Sequence, residues 1–286
     1  MTHAASLRSR LAGGESILMP GVWDPLSALL AQRAGFHTVF VSGFAVAGTL
    51  LGEPDIGIVD QANMADVARR VCAAAPDLCV VVDADTGYGD TREVQITTEL
   101  WESAGASGMF LEDQVWPKKC GHMDGKQVVP TEEWLVKLRT VVKTRSEIFL
   151  TARTDARAVN GLKDALERGR MARDLGVDAV FVEAPQSLNE LDEIAAALPD
   201  VVLVANMVEK GKTPLLTPSE LADRGFMLIV SPLSGLLSAT KALGEAYERL
   251  QSFGTLRDHL STITAFDDFT DIVGLPKHLA NDAEHR

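Results

Sequence analysis

Cysteine is scarce in this chain. It holds three, Cys72, Cys79 and Cys120. An odd count with no paired spacing excludes a disulfide framework and suits a reducing, cytoplasmic setting. Positive charge is short as well: 27 lysines and arginines face 40 aspartates and glutamates, a net charge of −13. That argues against nucleic acid and anionic membranes as partners. No apolar run reaches membrane-spanning length, and Met1 to Arg10 carries no apolar signal core. The six histidines are scattered and give no support to a zinc site. Low-complexity segments and strong repeats are absent. What remains is 286 residues, 46% of them hydrophobic, enough to build a large core. An acidic protein that binds an acidic substrate needs a local device, such as a metal or a buried arginine.

Short β-branched and apolar runs recur at Ser16–Met19, Thr38–Val41, Cys79–Val82, Gly108–Leu111, Glu147–Thr151, Ala179–Val182, Val201–Ala205 and Met227–Val230. Their near-continuous apolarity suits parallel strands buried on both faces. Helical spacing fills the intervals Leu26–Ala34, Arg92–Ala104, Thr131–Lys143, Leu162–Leu175 and Leu188–Leu198. Eight strand runs, with strand then helix repeated between them, predict a (β/α)8 TIM barrel in one domain, 1–286, with the barrel over about 16–252. Two connections, Ser42 to Gln61 and Asp113 to Pro130, are long enough to act as lids. Beyond the barrel lies a helical tail, 253–286. Thr255–Phe266 is expected to be helical there and Gly274–Arg286 loosely held.

In such a barrel the strand ends converge on one mouth. The residues directly after the runs include Ser42 and Gly43, Asp83 and Asp85, Glu112 and Asp113, Arg153, Glu183, Asn206 and Ser231. Asp83 and Asp85, two apart on an extended segment, point to the same side, and Glu112 ends the neighbouring strand. Three hard oxygen donors at a cavity suit Mg²⁺ or Mn²⁺. The competing reading makes Asp85-Thr86-Gly87 a turn and Asp83 a cap. Arg153 is placed to grip a carboxylate bidentately, or to pair internally with Asp155 or Glu183. Cys120 sits among Lys118, Lys119 and His122 in the second long connection. Positive neighbours there favour the thiolate, and a lid cysteine can move a proton once the lid closes; an incidental loop cysteine is the alternative.

Taken in order, Ser42-Gly43, Gly52-Glu53-Pro54-Asp55-Ile56-Gly57, Asp83-Ala84-Asp85-Thr86-Gly87-Tyr88-Gly89, Leu111-Glu112-Asp113-Gln114, Lys118-Lys119-Cys120-Gly121-His122 and Ala152-Arg153-Thr154-Asp155 resemble the isocitrate lyase/phosphoenolpyruvate mutase superfamily. The resemblance covers roughly residues 16 to 252. It implies Mg²⁺ near Asp83, Asp85 and Glu112, with Asp55 in a gating loop. It implies that Ser42, Gly43, Gly121 and Arg153 hold a keto- or hydroxy-acid end, with Glu183 and Asn206 orienting it. Cys120, beside His122, would be the proton donor to a leaving carbanion, and its presence argues against phosphorus–carbon chemistry. The resemblance further implies a homotetramer with an exchanged C-terminal helix.

The chain length is that of the 2-methylisocitrate and 2-alkylmalate lyase members. Phe40 stands where the methylisocitrate type carries tyrosine, and Ala205 to Pro214 resembles the malate-type subgroup. The expected function is therefore a Mg-dependent carbon–carbon lyase acting on a 2-hydroxy di- or tricarboxylate. Oxaloacetate hydrolysis or decarboxylation is the alternative on the same scaffold. A non-catalytic barrel that binds an anionic metabolite is the alternative of another class.

Overall fold

A computed structural model of the chain describes residues 1–285. Eight parallel strands close into a barrel in sequence order: β1 (Ile17–Val22), β2 (Thr38–Val41), β3 (Cys79–Asp83), β4 (Gly108–Glu112), β5 (Phe149–Thr154), β6 (Ala179–Val182), β7 (Val202–Asn206) and β8 (Phe226–Ser231). The last strand closes on the first, with Leu18 opposite Ile229. Every residue of β2 to β6 is buried. This is why the runs are continuous rather than alternating: one face meets helices, the other the barrel interior.

The core divides along that line. Between sheet and helices, strand residues such as Val82, Leu111 and Val180 pack on Met64, Trp101, Trp134 and Leu191. Inside the barrel, Phe40, Val81, Phe110, Phe149, Phe181 and Val204 form a second cluster. Each buried aromatic contributes about 1.5–3 kcal/mol through burial. The helix His3–Ala12 closes the end where the strands begin: Leu7 and Leu11 join that interior cluster beside Ile17, Cys79 and Phe149, each the first residue of its strand. Side chains alternate along a strand. The residue two beyond an interior apolar one therefore faces the same interior, nearer the mouth. Phe40 is followed in this way by Ser42, Val81 by Asp83, Phe110 by Glu112, Phe181 by Glu183 and Val204 by Asn206.

Several elements differ from the sequence expectation. The helix Gln61–Ala74 was not expected, although Met64, Val67, Ala68 and Val71 have helical spacing and Asp60 caps it. The connection after β2 is not a plain loop. It opens with a short helix, Gly43–Val46, capped by Ser42, and continues into a π-helical turn, Ala47–Leu51. In the tail, Gly254 in the left-handed region stops the long helix Ser234–Phe253. The expected helix over 255–266 is a 3₁₀ segment, Arg257–Thr262, followed by a helix Phe266–Ile272. Residues Leu275–Glu284 are helical rather than loose, begun by Gly274 and Pro276; Arg286 lies outside the described residues. Among the described residues, no helix is long and apolar enough to cross a membrane.

Candidate active site

A cavity with an empty volume of about 480 Å³, counting the part open to solvent, lies at the mouth of the barrel. Its polar lining includes Ser42, Asp55, Asp83, Cys120, Arg153 and Asn206. Phe44, Phe181 and Leu233 supply an apolar wall. Asp85, Glu112 and Glu183 stand behind this lining, each no more than 2% exposed. The strand ends thus bring together, around one cavity, the residues read from sequence.

Arg153 is the electrostatic centre. Its guanidinium lies 3.1 Å from Glu112, 3.0 Å from Asp155 and 3.3 Å from Glu183, with the Phe181 ring 5.6 Å away. Burial opposes its charge, but Asp155, Glu112 and Glu183 outweigh that and hold its pKa well above the ordinary arginine value. Asp155 is likewise held below the usual carboxylate range: burial works against its charge, and Arg153 and Lys126 override it. The internal pairing with Asp155 and Glu183, one of the two roles read for Arg153, is therefore present, and the guanidinium also lines the cavity. Glu183 receives the Asn206 amide at 3.3 Å.

On the other side, Asp83 ends β3, and Asp85 sits in the turn beyond it with φ 44°. The Asp83 carboxylate accepts the Asp85 backbone N–H at 3.2 Å. Gly43 packs against both acids: a Cβ there would lie 3.1 Å from Asp83 Oδ2 and 3.6 Å from Asp85 Oδ1. Burial pushes the Asp85 carboxyl up to about 7, and burial also raises Glu112 well above its ordinary value. Lys118 Nζ bridges Asp55 at 2.6 Å and Asp85 at 2.7 Å. Burial disfavours this ammonium, but Asp85 and Asp55 more than offset that and raise its pKa.

The donor set suits a small divalent ion. Glu112 Oε1 is buried with neither a hydrogen-bond nor an ion-pair partner among the described residues, and Asp85 Oδ1 and Glu112 Oε2 meet only the cations Lys118 and Arg153. Orphaned buried carboxylate oxygens are costly unless something else satisfies them. Among the same residues, no three or more carboxylate, histidine or cysteine side chains converge into a ready-made cage. A magnesium ion commonly takes only one or two carboxylates and completes its octahedron with water and substrate, so the residues fit it.

The connection after β4 is folded down over the cavity. Gln114 pins its start through two bonds to the Lys119 backbone, at 2.8 and 3.0 Å. The Cys120 N–H donates to the Asp55 carbonyl at 3.1 Å, joining the two long connections. Gly121 passes so close to the site that a Cβ would lie 2.5 Å from Glu183 and 2.7 Å from Arg153, so only glycine fits. His122 Nδ1 accepts the Lys212 backbone N–H at 3.0 Å, which leaves the ring proton on Nε2, 3.4 Å from Glu183. Burial lowers the His122 pKa and keeps the ring neutral.

The positive neighbours of Cys120 do not favour its thiolate. Burial pushes the thiol up to about 11, only partly offset by a hydrogen bond from the His122 backbone. Lys118 is committed to Asp55 and Asp85, and Lys119 Nζ turns away to the Gly125 carbonyl at 3.0 Å. Cys120 is therefore a protonated thiol at the cavity wall. Three residues of the site were missed from sequence as site members. Lys118 was read only as a neighbour of the thiol. Asp155 was seen only as a partner for Arg153, and Lys126 carried no motif of its own.

A parallel barrel with buried acids, a buried arginine and a cysteine-bearing lid at the strand ends has the make-up of an acid-metabolite enzyme. Residues 7–251 match the family model described as phosphoenolpyruvate phosphomutase. The chain belongs to this family, within the phosphoenolpyruvate mutase/isocitrate lyase superfamily. It is 46% identical over 262 residues to the petal death protein of Dianthus caryophyllus, covering 91% of this chain and 82% of that one. It is 46% identical over 264 residues to the chloroplastic carboxyvinyl-carboxyphosphonate phosphorylmutase of Arabidopsis thaliana, covering 91% and 78%. With 2,3-dimethylmalate lyase of Eubacterium barkeri it shares 37% over 279 residues, 97% of this chain and 96% of that one. Among solved structures, a 2,3-dimethylmalate lyase superposes with a TM-score of 0.95 at 34% identity, over 100% of this chain and 96% of that one. Oxaloacetate acetylhydrolase bound to 3,3-difluorooxalacetate superposes with a TM-score of 0.94 at 35% identity, over 99% and 97%.

Proposed function

We propose that this protein is a Mg²⁺-dependent carbon–carbon lyase that cleaves a 2-hydroxy di- or tricarboxylate of the alkylmalate or methylisocitrate type into a keto acid and a carboxylic acid. The observation that carries this reading is Cys120, a protonated thiol at the wall of a cavity that also holds Arg153 and Asp83. Any cleavage that leaves an electron pair on C3 needs such a proton source, whereas a barrel that only binds an anion does not; the apolar wall of Phe44 and Leu233 then favours an alkyl-bearing hydroxy acid over oxaloacetate.

In this reading Arg153, with Ser42 and Gly43, holds the carboxylate and oxygen of the C1–C2 end. Asp83, Asp85 and Glu112 would hold Mg²⁺ or Mn²⁺, which when bound supplies Lewis-acid stabilisation of the C2 oxygen and its carboxylate. The 2-hydroxyl gives up its proton to a carboxylate of the site as C2–C3 breaks and C2 becomes a keto carbon. The electron pair stays on C3 beside its carboxylate. Cys120 delivers its proton to C3, and Asp55 and Gly121 keep the thiol in place from either side. Glu183, braced by Arg153, Asn206 and His122, orients the bound acid. The apolar wall of Phe44 and Leu233 suits an alkyl substituent. The setting is cytoplasmic, in keeping with three free thiols. The assembly is a homotetramer that covers the apolar C-terminal helix.

A second reading, oxaloacetate hydrolysis, is favoured by the 35% identity to oxaloacetate acetylhydrolase. Product analysis separates the two. Isocitrate, 2-methylisocitrate, 2,3-dimethylmalate, 2-alkylmalates and oxaloacetate are each incubated with and without Mg²⁺. A keto acid plus a carboxylic acid from one of the hydroxy acids, lost in chelator, is the expected result. Oxalate plus acetate from oxaloacetate alone transfers the assignment to the hydrolase. Pyruvate plus CO₂ transfers it to a decarboxylase, and no turnover of any acid leaves a binding protein.

A further inference from the structure

Arg153 faces an imbalance. Glu112, Asp155 and Glu183 all lie within 3.3 Å of its guanidinium, three carboxylates on one cation. An arginine so fully committed has little charge left for an incoming carboxylate. The lid supplies what is missing. Lys126, at its far end, reaches inward until its side chain is 1% exposed, and its Nζ lies 2.6 Å from Asp155 Oδ1. The same ammonium donates to the carbonyl of Gly121, between Cys120 and His122. A lysine is rarely buried this deeply unless it is paired. Both contacts are made with the lid down.

We propose that Lys126 is a positioning residue: by bonding Asp155 and the Gly121 carbonyl together, it holds the Cys120-Gly121-His122 tip over the cavity and takes up Asp155 charge that otherwise ties down Arg153. Closing the lid and freeing Arg153 to bind a carboxylate are then one event. Lys126 touches neither substrate nor reacting atoms; it acts through Asp155 and Gly121. The role in freeing Arg153 rests on the lyase reading of the cavity, whereas the hold on the lid tip does not.

The test compares Lys126→Met with Lys126→Arg in the full-length protein, after matching their circular dichroism and melting temperature to wild type. The first readout is the rate at which a small thiol reagent alkylates Cys120 in the absence of substrate. Its value follows the fraction of open lid and needs no turnover. Lys126→Met is expected to react roughly tenfold faster or more, because breaking a buried pair strands a charge. Lys126→Arg is expected to stay within about threefold of wild type. The second readout is the affinity for oxalate in the presence of Mg²⁺. It should fall in Lys126→Met and recover in part in Lys126→Met/Asp155→Asn, where the surplus carboxylate is neutralised. A purely structural lysine gives no such recovery. Alkylation of Lys126→Met at the wild-type rate overturns the hold on the lid. Faster alkylation without recovery in the double variant overturns the role in freeing Arg153. If Lys126→Met does not fold, Lys126→Gln takes its place under the same criteria. Absence of turnover with every hydroxy acid strikes the lyase reading and leaves the alkylation result standing.

Discussion

At the scale of single residues, Cys120 has the sharpest consequences. A half-buried thiol with a pKa near 11 is a neutral acid at any physiological pH. If it protonates the departing carbanion, Cys120→Ser should lower kcat by roughly two to four orders of magnitude, the range of one acid–base group. KM should barely move, because the interaction is made in the transition state. The pH dependence has a definite sign. The protonated form does the chemistry, so Cys120 places no fall in lyase rate between pH 7 and 10. The thiolate is what alkylates, so alkylation should climb about tenfold per pH unit across that range and level off near 11. An alkylation profile that levels off near pH 8 would show an ordinary exposed thiol. Wild-type turnover in Cys120→Ser would remove the acid role.

At the scale of elements, two long connections meet over the strand ends, and the segment after β7 clamps one of them. Gly211 lies against His122 so closely that a Cβ would come 2.7 Å from Nδ1. Gly211→Ala should therefore push His122 and the lid outward. Overpacking of this kind costs about 1–3 kcal/mol, which corresponds to a loss of roughly 5- to 150-fold in kcat/KM if it falls on lid closure. The barrel does not depend on that contact, so the melting temperature should hardly change; a large drop in melting temperature with unaltered kcat/KM would contradict the clamp. The strands and most barrel helices were legible in sequence because burial on both faces leaves unbroken apolar runs. The strand-end residues were legible because side chains alternate along a strand. The lid was legible only as length and motif. Lys126 and Lys212 act across 29 and 90 residues, on Asp155 and His122, and no local period encodes a contact of that span. The acidity of Cys120 was misread for the same reason: its neighbours in sequence point elsewhere, and burial, which only the fold supplies, decides the shift.

At the scale of the whole molecule, the tail matters most. None of the twenty residues of the helix Ser234–Phe253 is buried. Leu243, Tyr247 and Phe253 are 52%, 64% and 67% exposed, and Phe266 beyond them is 80% exposed. In the proposed tetramer this exposed apolar face is what a neighbouring subunit would cover. Light scattering at working concentration should give a tetramer, and Tyr247→Glu/Phe253→Glu should lower the mass. A monomeric wild type would contradict the assembly.

The cleavage itself is tested most directly by running the reaction on 2,3-dimethylmalate with Mg²⁺ in deuterated water and reading the products by NMR. Breaking C2–C3 and protonating C3 from an exchangeable thiol predicts pyruvate and propionate in equal amounts, the propionate carrying one deuterium at C2. Dimethylmalate left intact by an enzyme that turns oxaloacetate into oxalate and acetate would contradict the account and assign the cavity to hydrolysis.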